Sequence, residues 1–184
     1  MIKQNNPNCQ LIGPKQVREK ITSLISKNDS TWSGVGLTGQ VEKRVEFIPV
    51  PAAHPIYKKG SSPEEPDCVG YLIKMDEVVV YHSGDTVLYD GMARIIKKSG
   101  WKIDIACLPV NGRDEKREKM GIVGNLNVEE SMQLATIIGA KWMIPIHNDL
   151  FLINQENPAY VDSILEKATG VKIVKMTPGR LVDY

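Results

Sequence analysis

Residues 77–85 read EVVVYHSGD, and this run decides the fold. Val78, Val79, Val80 and Tyr81 are apolar on both faces of an extended chain, and the run is too short for an ordinary helix. Ser83–Asp85 then supplies turn chemistry. A strand that is apolar on both faces belongs in the middle of a sheet covered on both sides, so these residues predict a central strand in a layered domain. Immediately before it, CVGYLIK (68–74) forms a second strand-like run, joined through a turn at Met75–Asp76.

Downstream the two periodicities alternate. Residues Tyr89–Lys98 have helical spacing, with Met92, Ile95 and Ile96 as buried contacts, and IDIACLPV (103–110) is another buried strand. The polar stretch NGRDEKREKMGIVGN (111–125) reads as a loop. Asn127 with Glu130 three residues on forms a capping box, and Gly139 closes the helix it starts. WMIPI (142–146) is a short strand that delivers His147. Asn157–Pro158 begins a further helix with Val161, Ile164, Leu165 and Ala168 on one face, ended by Gly170. VKIVK and GRLVDY read as closing strands.

Upstream, Pro14 suits a first helical position, and Val17, Ile21, Leu24 and Ile25 share a face up to a turn at Asn28–Ser30. In VEKRVEFIPV, Val41, Val45 and Phe47 alternate with charged residues, which predicts one half-buried strand. Pro49 to Pro66 reads as a long loop containing His54. Alternating strands and helices without a repeat or a linker predict a single α/β domain over residues 1–184, with helices covering a sheet.

Composition removes several function classes. The chain has 184 residues, 42% of them hydrophobic, and 23 Lys+Arg against 22 Asp+Glu give a formal charge of +1. A near-neutral balance offers no electrostatic footprint for nucleic acid or an anionic membrane. No stretch approaches the ~20 apolar residues that span a bilayer. MIKQNNPNCQ lacks the apolar core of a secretory signal. Three scattered cysteines, Cys9, Cys68 and Cys107, support neither a disulfide frame nor a thiolate zinc site, and point to the reducing cytoplasm. Cys107, inside an apolar strand, reads as a buried small hydrophobe.

The three histidines carry the chemical expectation. His54, His82 and His147 each lie at or just beyond a strand, and Asp85 and Asp149 accompany the last two. Strand ends are where ligands converge in α/β sheets. Imidazole and carboxylate are common ligands of zinc, manganese and iron, and a carboxylate can bridge two metals that activate water. Asp85 suits that bridging position, with His54 and His147 each holding one metal, while Asp149 is placed to orient a ligating imidazole. His82 reads as a supporting residue. Asp85 could equally cap a turn, and His54 and His147 could be ordinary loop residues.

The segments LIGPKQV, VVVYHSGD, LPVNGRD and GIVGNLNVEESMQLATIIGAKWMIPIHND resemble the metallo-β-lactamase superfamily, most closely its ascorbate-6-phosphate lactonase-like metal-dependent hydrolases. The resemblance runs from about Leu11 to Arg180. It implies an αββα sandwich and a hydrolase in which metal-activated water attacks a lactone, ester or phosphoester, with Zn or Mn as the divalent metal and a small molecule as substrate. It implies His54, Asp85 and His147 as metal ligands, Asp85 and His147 as the catalytic pair, and Asn111 and Arg113 at the mouth of the site. There Arg113 could hold a substrate phosphate or carboxylate, or form a structural salt bridge.

The family's N-terminal HxHxDH motif is absent, and Asn148 stands where relatives often carry an aromatic residue or a second histidine. The site is therefore expected to be incomplete, and the fold to lack its N-terminal part. A homo-oligomer, or pairing with a missing N-terminal portion, is expected in consequence. The alternative is a non-catalytic remnant, or half of a split enzyme acting as an interaction module.

Overall fold

The computed structural model describes residues 12–14, 17, 39–42, 45–54, 66, 68–149, 151–177 and 179–180. Most of the expected helix over residues 14–25, and most of GRLVDY, lie outside the described residues. Among those described, seven strands form one sheet whose spatial order follows the sequence. They are β1 (Gly39–Glu42), β2 (Val45–Ala52), β3 (Cys68–Met75), β4 (Val78–His82), β5 (Ile105–Pro109), β6 (Trp142–Ile146) and β7 (Lys172–Ile173). The first four form an antiparallel meander, and β4 to β7 run parallel.

Parallel neighbours need crossovers, and helices supply them. Helix α1 (Met92–Lys97) links β4 to β5, α2 (Glu115–Lys119) and α3 (Val128–Ile138) link β5 to β6, and α4 (Pro158–Leu165) links β6 to β7. The α3 start is the expected capping box: Asn127 accepts from the Glu130 N–H, and the Glu130 carboxylate accepts from the Asn127 N–H. Gly139 ends α3 at φ 75°, in the left-handed region that favours glycine. At α4, Asn157 accepts from the Ala159 and Tyr160 N–H groups and Pro158 follows as the first helical residue.

The core lies between the sheet and α1, α3 and α4. Leu72, Val79, Tyr81, Ala106, Leu108 and Met143 point into it from the strands. Met92 and Ile96, Leu134, Ala135 and Ile138, and Val161 and Leu165 meet them from the helices. Tyr71, Ile73, Val80, Ile105, Cys107, Trp142 and Ile144 occupy the alternate positions and are only half-buried. The central strand is thus fully covered on one side only. Val78, at its start, is 44% exposed, which corrects the expectation of equal cover on both faces.

Two further corrections concern β2 and the NGRD segment. VEKRVEFIPV is two antiparallel strands, not one, with Gly39 facing Phe47 and Glu42 facing Val45. The second extends through Pro49 and Pro51, within the stretch expected to be loop, and pairs with β3 out to Ala52 and Cys68. Beyond Phe47 no described residue pairs with the outer edge of β2, and proline is tolerated where its missing N–H is not needed by a neighbouring strand. The polar stretch after Asn111 contains α2. That helix has no apolar stripe to betray it and is started by Asp114, which accepts from the Arg117 N–H.

Candidate metal centre

Strand direction builds the site. β2 and β4 are both antiparallel to β3, so they point the same way, and β5 and β6 are parallel to β4. The C-terminal ends of β2, β4, β5 and β6 therefore open on one edge of the sheet, and His54, Asp85, Asn111 and His147 follow those ends within three residues. Residues far apart in sequence meet there because the strands are co-directional.

Two imidazoles converge on one carboxylate. His147 Nε2 lies 2.7 Å from Asp85 Oδ1, and His54 Nε2 lies 3.7 Å from Asp85 Oδ2. The hydrogen bond from His147 is the main influence holding the Asp85 carboxyl below its ordinary range; burial opposes it, and the charges of His147, His54 and His82 add to it. The same bond raises His147 above the usual histidine value against the effect of burial. His147 sits at φ 61°, which costs a non-glycine residue of order 1 kcal/mol or more and is a recurrent feature of functional sites. His82 serves the turn: its Nδ1 accepts from the Gly84 N–H at 3.1 Å, shaping the backbone that leads into Asp85.

Sequence reasoning missed Thr86. Its hydroxyl is buried, accepts from the Ala53 N–H at 3.1 Å and donates to the Val87 carbonyl at 3.0 Å. The Val87 N–H donates back to the Ala53 carbonyl, so the residue before His54 is fastened to the residue after Asp85. A threonine after an aspartate in a turn gives no such signal in one dimension; its partner lies 33 positions away.

Asn111 and Arg113 hold the loop beside the site. Arg113 makes a bidentate ion pair with Glu130, both contacts 2.7 Å, and donates to the Asn125 carbonyl at 3.0 Å. Of the two roles open to it in the sequence, the structural salt bridge is the one its guanidinium makes. The Asn111 carbonyl accepts from Arg117 Nη1 at 2.8 Å, and its side chain is 1% exposed. Asp149 is exposed, and Asn148 contributes its carbonyl to Gln155.

The family model described as a beta-lactamase superfamily domain matches residues 2–148. The chain belongs to this superfamily. Among its relatives, the UPF0173 metal-dependent hydrolase of Methanoculleus marisnigri is 30% identical over 141 residues, covering 76% of the chain and 58% of that protein. The namesake from Methanocorpusculum labreanum is 32% identical over 155 residues, covering 82% of the chain and 65% of the relative. The chain thus spans less than two-thirds of either. Among solved structures, Igni18, a metallo hydrolase from Ignicoccus hospitalis, aligns with a TM-score of 0.71 at 20% identity, over 98% of the chain and 70% of its own. The isothiocyanate hydrolase from Delia radicum gut bacteria aligns at 0.66 and 13%, over 93% and 67% respectively. At these identities the structural matches establish the superfamily's fold.

A divalent metal is the cofactor this superfamily implies, and the donors can be tested for it. Ligand atoms about 2.0–2.2 Å from a tetrahedral zinc lie roughly 3.3–3.6 Å from one another; the 3.7 Å His54–Asp85 contact is close to that spacing, whereas the 2.7 Å His147–Asp85 contact is a hydrogen bond. Two imidazoles and a carboxylate are also suitable donor chemistry. As arranged, the three do not make a site: among the described residues no group of three or more His, Cys, Asp or Glu side chains could hold a metal ion. His54, Asp85 and His147 offer suitable donor types but do not form such a group.

Proposed function

We propose that the chain carries one half of the active centre of a metal-dependent hydrolase, with His54, Asp85 and His147 as its metal donors. The observation that carries this reading is the placement of two imidazole Nε2 atoms on the two separate oxygens of Asp85. A metal bound there would supply Lewis acidity and lower the pKa of a bound water. The chain's own groups do the positioning. Asp85 presents one oxygen to each histidine, His147 is held by its left-handed turn, and His54 is held through Ala53 and Thr86. Zn and Mn suit the donors equally, and a lactone, ester or phosphoester is the substrate class that this chemistry serves. Location in the cytoplasm agrees with the scattered cysteines.

The shortfall in donors favours a second reading for the chain by itself, as a non-catalytic interaction module that keeps the fold without a working metal site. Metal analysis separates the two. The purified chain is titrated with Zn2+ or Mn2+, alone and with the N-terminal portion of a relative that carries HxHxDH. Binding that becomes tight only with the added portion supports the half-site. In that complex Asp85→Asn should weaken metal binding by more than the roughly 10–100-fold that loss of an outer partner costs. Unchanged metal content in Asp85→Asn would overturn the assignment.

A further inference from the structure

Behind the Asp85–His147 contact lies a buried pair of amides that the proposed chemistry does not use. Asn111 and Asn125 are each 1% exposed, and Asn125 Nδ2 donates to Asn111 Oδ1 at 3.2 Å. Their backbone neighbours place them. The Val110 N–H donates to the Ile146 carbonyl, which sets Asn111 alongside His147 at the ends of two parallel strands. The Leu126 N–H donates to the Thr86 carbonyl at 2.8 Å, which sets Asn125 beside the turn that carries Asp85. The amide–amide bond therefore joins the loop next to His147 to the loop next to Asp85.

The clamp is tightly built. The Asn125 N–H donates to the Gly112 carbonyl, and the Gly112 N–H donates to the Leu126 carbonyl. At Gly124 a Cβ would come within 2.3 Å of the Gly112 carbonyl oxygen and 2.5 Å of Arg113 Cβ, so only glycine permits this approach. One atom stands out: Asn125 Oδ1 is buried and has no hydrogen-bond partner among the described residues. Turning both amides over would reverse the bond and leave an amide nitrogen in that place instead, so either orientation leaves one polar atom to be met. Buried polar atoms of this kind are met by internal water, and Asn125 Oδ1 is too enclosed for a substrate to reach.

We propose that the Asn111–Asn125 pair, with one water bound at Asn125 Oδ1, is a positioning clamp that sets His147 against Asp85. It deepens the half-site reading, but its test needs neither metal nor turnover, so the two can fail separately. The metal-free chain labelled with 15N-histidine reports the His147 imidazole directly. In Asn125→Ala the His147 Nε2 signal should shift and its proton exchange should rise about tenfold, the equivalent of one hydrogen bond's net worth. Leu126→Ala removes a fully buried neighbour without touching the amides, and should lower Tm while leaving His147 in place. Asn125→Ser keeps a hydroxyl for the water and should lie between wild type and Ala. An unshifted His147 signal in Asn125→Ala, with Tm lowered as in Leu126→Ala, would reduce the pair to a structural role and overturn the proposal. Should both Asn125 variants fail to fold, the wild-type chain decides: a cross-peak from the Asn125 side-chain amide to a long-lived water supports the clamp, and its absence refutes it.

Discussion

Side chains beside the proposed metal donors help to fix the site's geometry. Thr86 illustrates this, since its hydroxyl receives the buried Ala53 N–H. Thr86→Val keeps the shape and removes the acceptor. It should cost about 1–3 kcal/mol in chemical denaturation, the price of an unsatisfied buried donor, and a variant as stable as wild type would show that the Ala53 N–H finds another partner. Gly124→Ala should be worse than its size suggests. A Cβ there meets backbone and Cβ atoms at 2.3–2.7 Å, and rigid neighbours cannot yield. A loss of about 2 kcal/mol or more is expected, in the range where overpacking becomes plainly measurable, with thermal melting as the check. Neither position advertised itself in the sequence. Asp85, His54 and His147 did, because imidazole and carboxylate after strands are chemically conspicuous.

At the scale of elements, carboxylates at junctions tie helices and strands to their neighbours. Glu130 closes the α3 capping box and holds Arg113 by two bonds. Glu130→Ala should destabilise by about 1–2 kcal/mol, as loss of a cap does, measured by the shift of the denaturation midpoint. Asp104 performs the same service between strands: its carboxylate accepts from the Val79 N–H at 2.9 Å and from Lys141 at 2.6 Å. Burial pushes its carboxyl up, but Lys141 and the Val79 N–H outweigh that and leave it below its ordinary range. A depressed carboxyl stabilises the fold above its unfolded pKa, and that contribution is lost as pH falls through the folded value. Acid should therefore weaken the wild-type chain below about pH 4 more steeply than Asp104→Asn. Parallel stability–pH curves for the two would remove Asp104 from the account. The capping box was legible in one dimension because its partners are three residues apart. The Asp104 junction was not, since Val79 and Lys141 come from opposite sides of the sequence.

For the whole molecule the decisive feature is the sheet face away from the helices. Val80, Ile105, Cys107, Trp142 and Ile144 are half-buried there, where their alternates Tyr81, Ala106 and Met143 are fully buried. None of the five is fully exposed, yet this face is less well covered than the helix-packed one. We propose that self-association of the chain, or capture of a complementary portion, completes the cover of this face in solution. Light scattering combined with hydrogen exchange checks it, and a monodisperse monomer with fully protected amides at Val78–Tyr81 and Ile105–Leu108 would show the face to be closed without a partner.

The sequence by itself determined what depends on near neighbours. The apolar β-branched run at 78–81 made a central strand, the Asn127–Glu130 spacing made a helix start, and Gly139 ended it, because each rests on local sterics or bonds within a few residues. It also placed His54 and His147 just beyond strands. What the tertiary structure decided depends on direction and register. Polar α2 had no stripe to reveal it, and proline-containing β2 is held as a strand by its pairing with β3 out to Ala52. Most of all, the meeting of His54, Asp85 and His147 required β2, β4 and β6 to point the same way. Strand polarity is a relation between distant segments, set by how they pair, and no local pattern carries it.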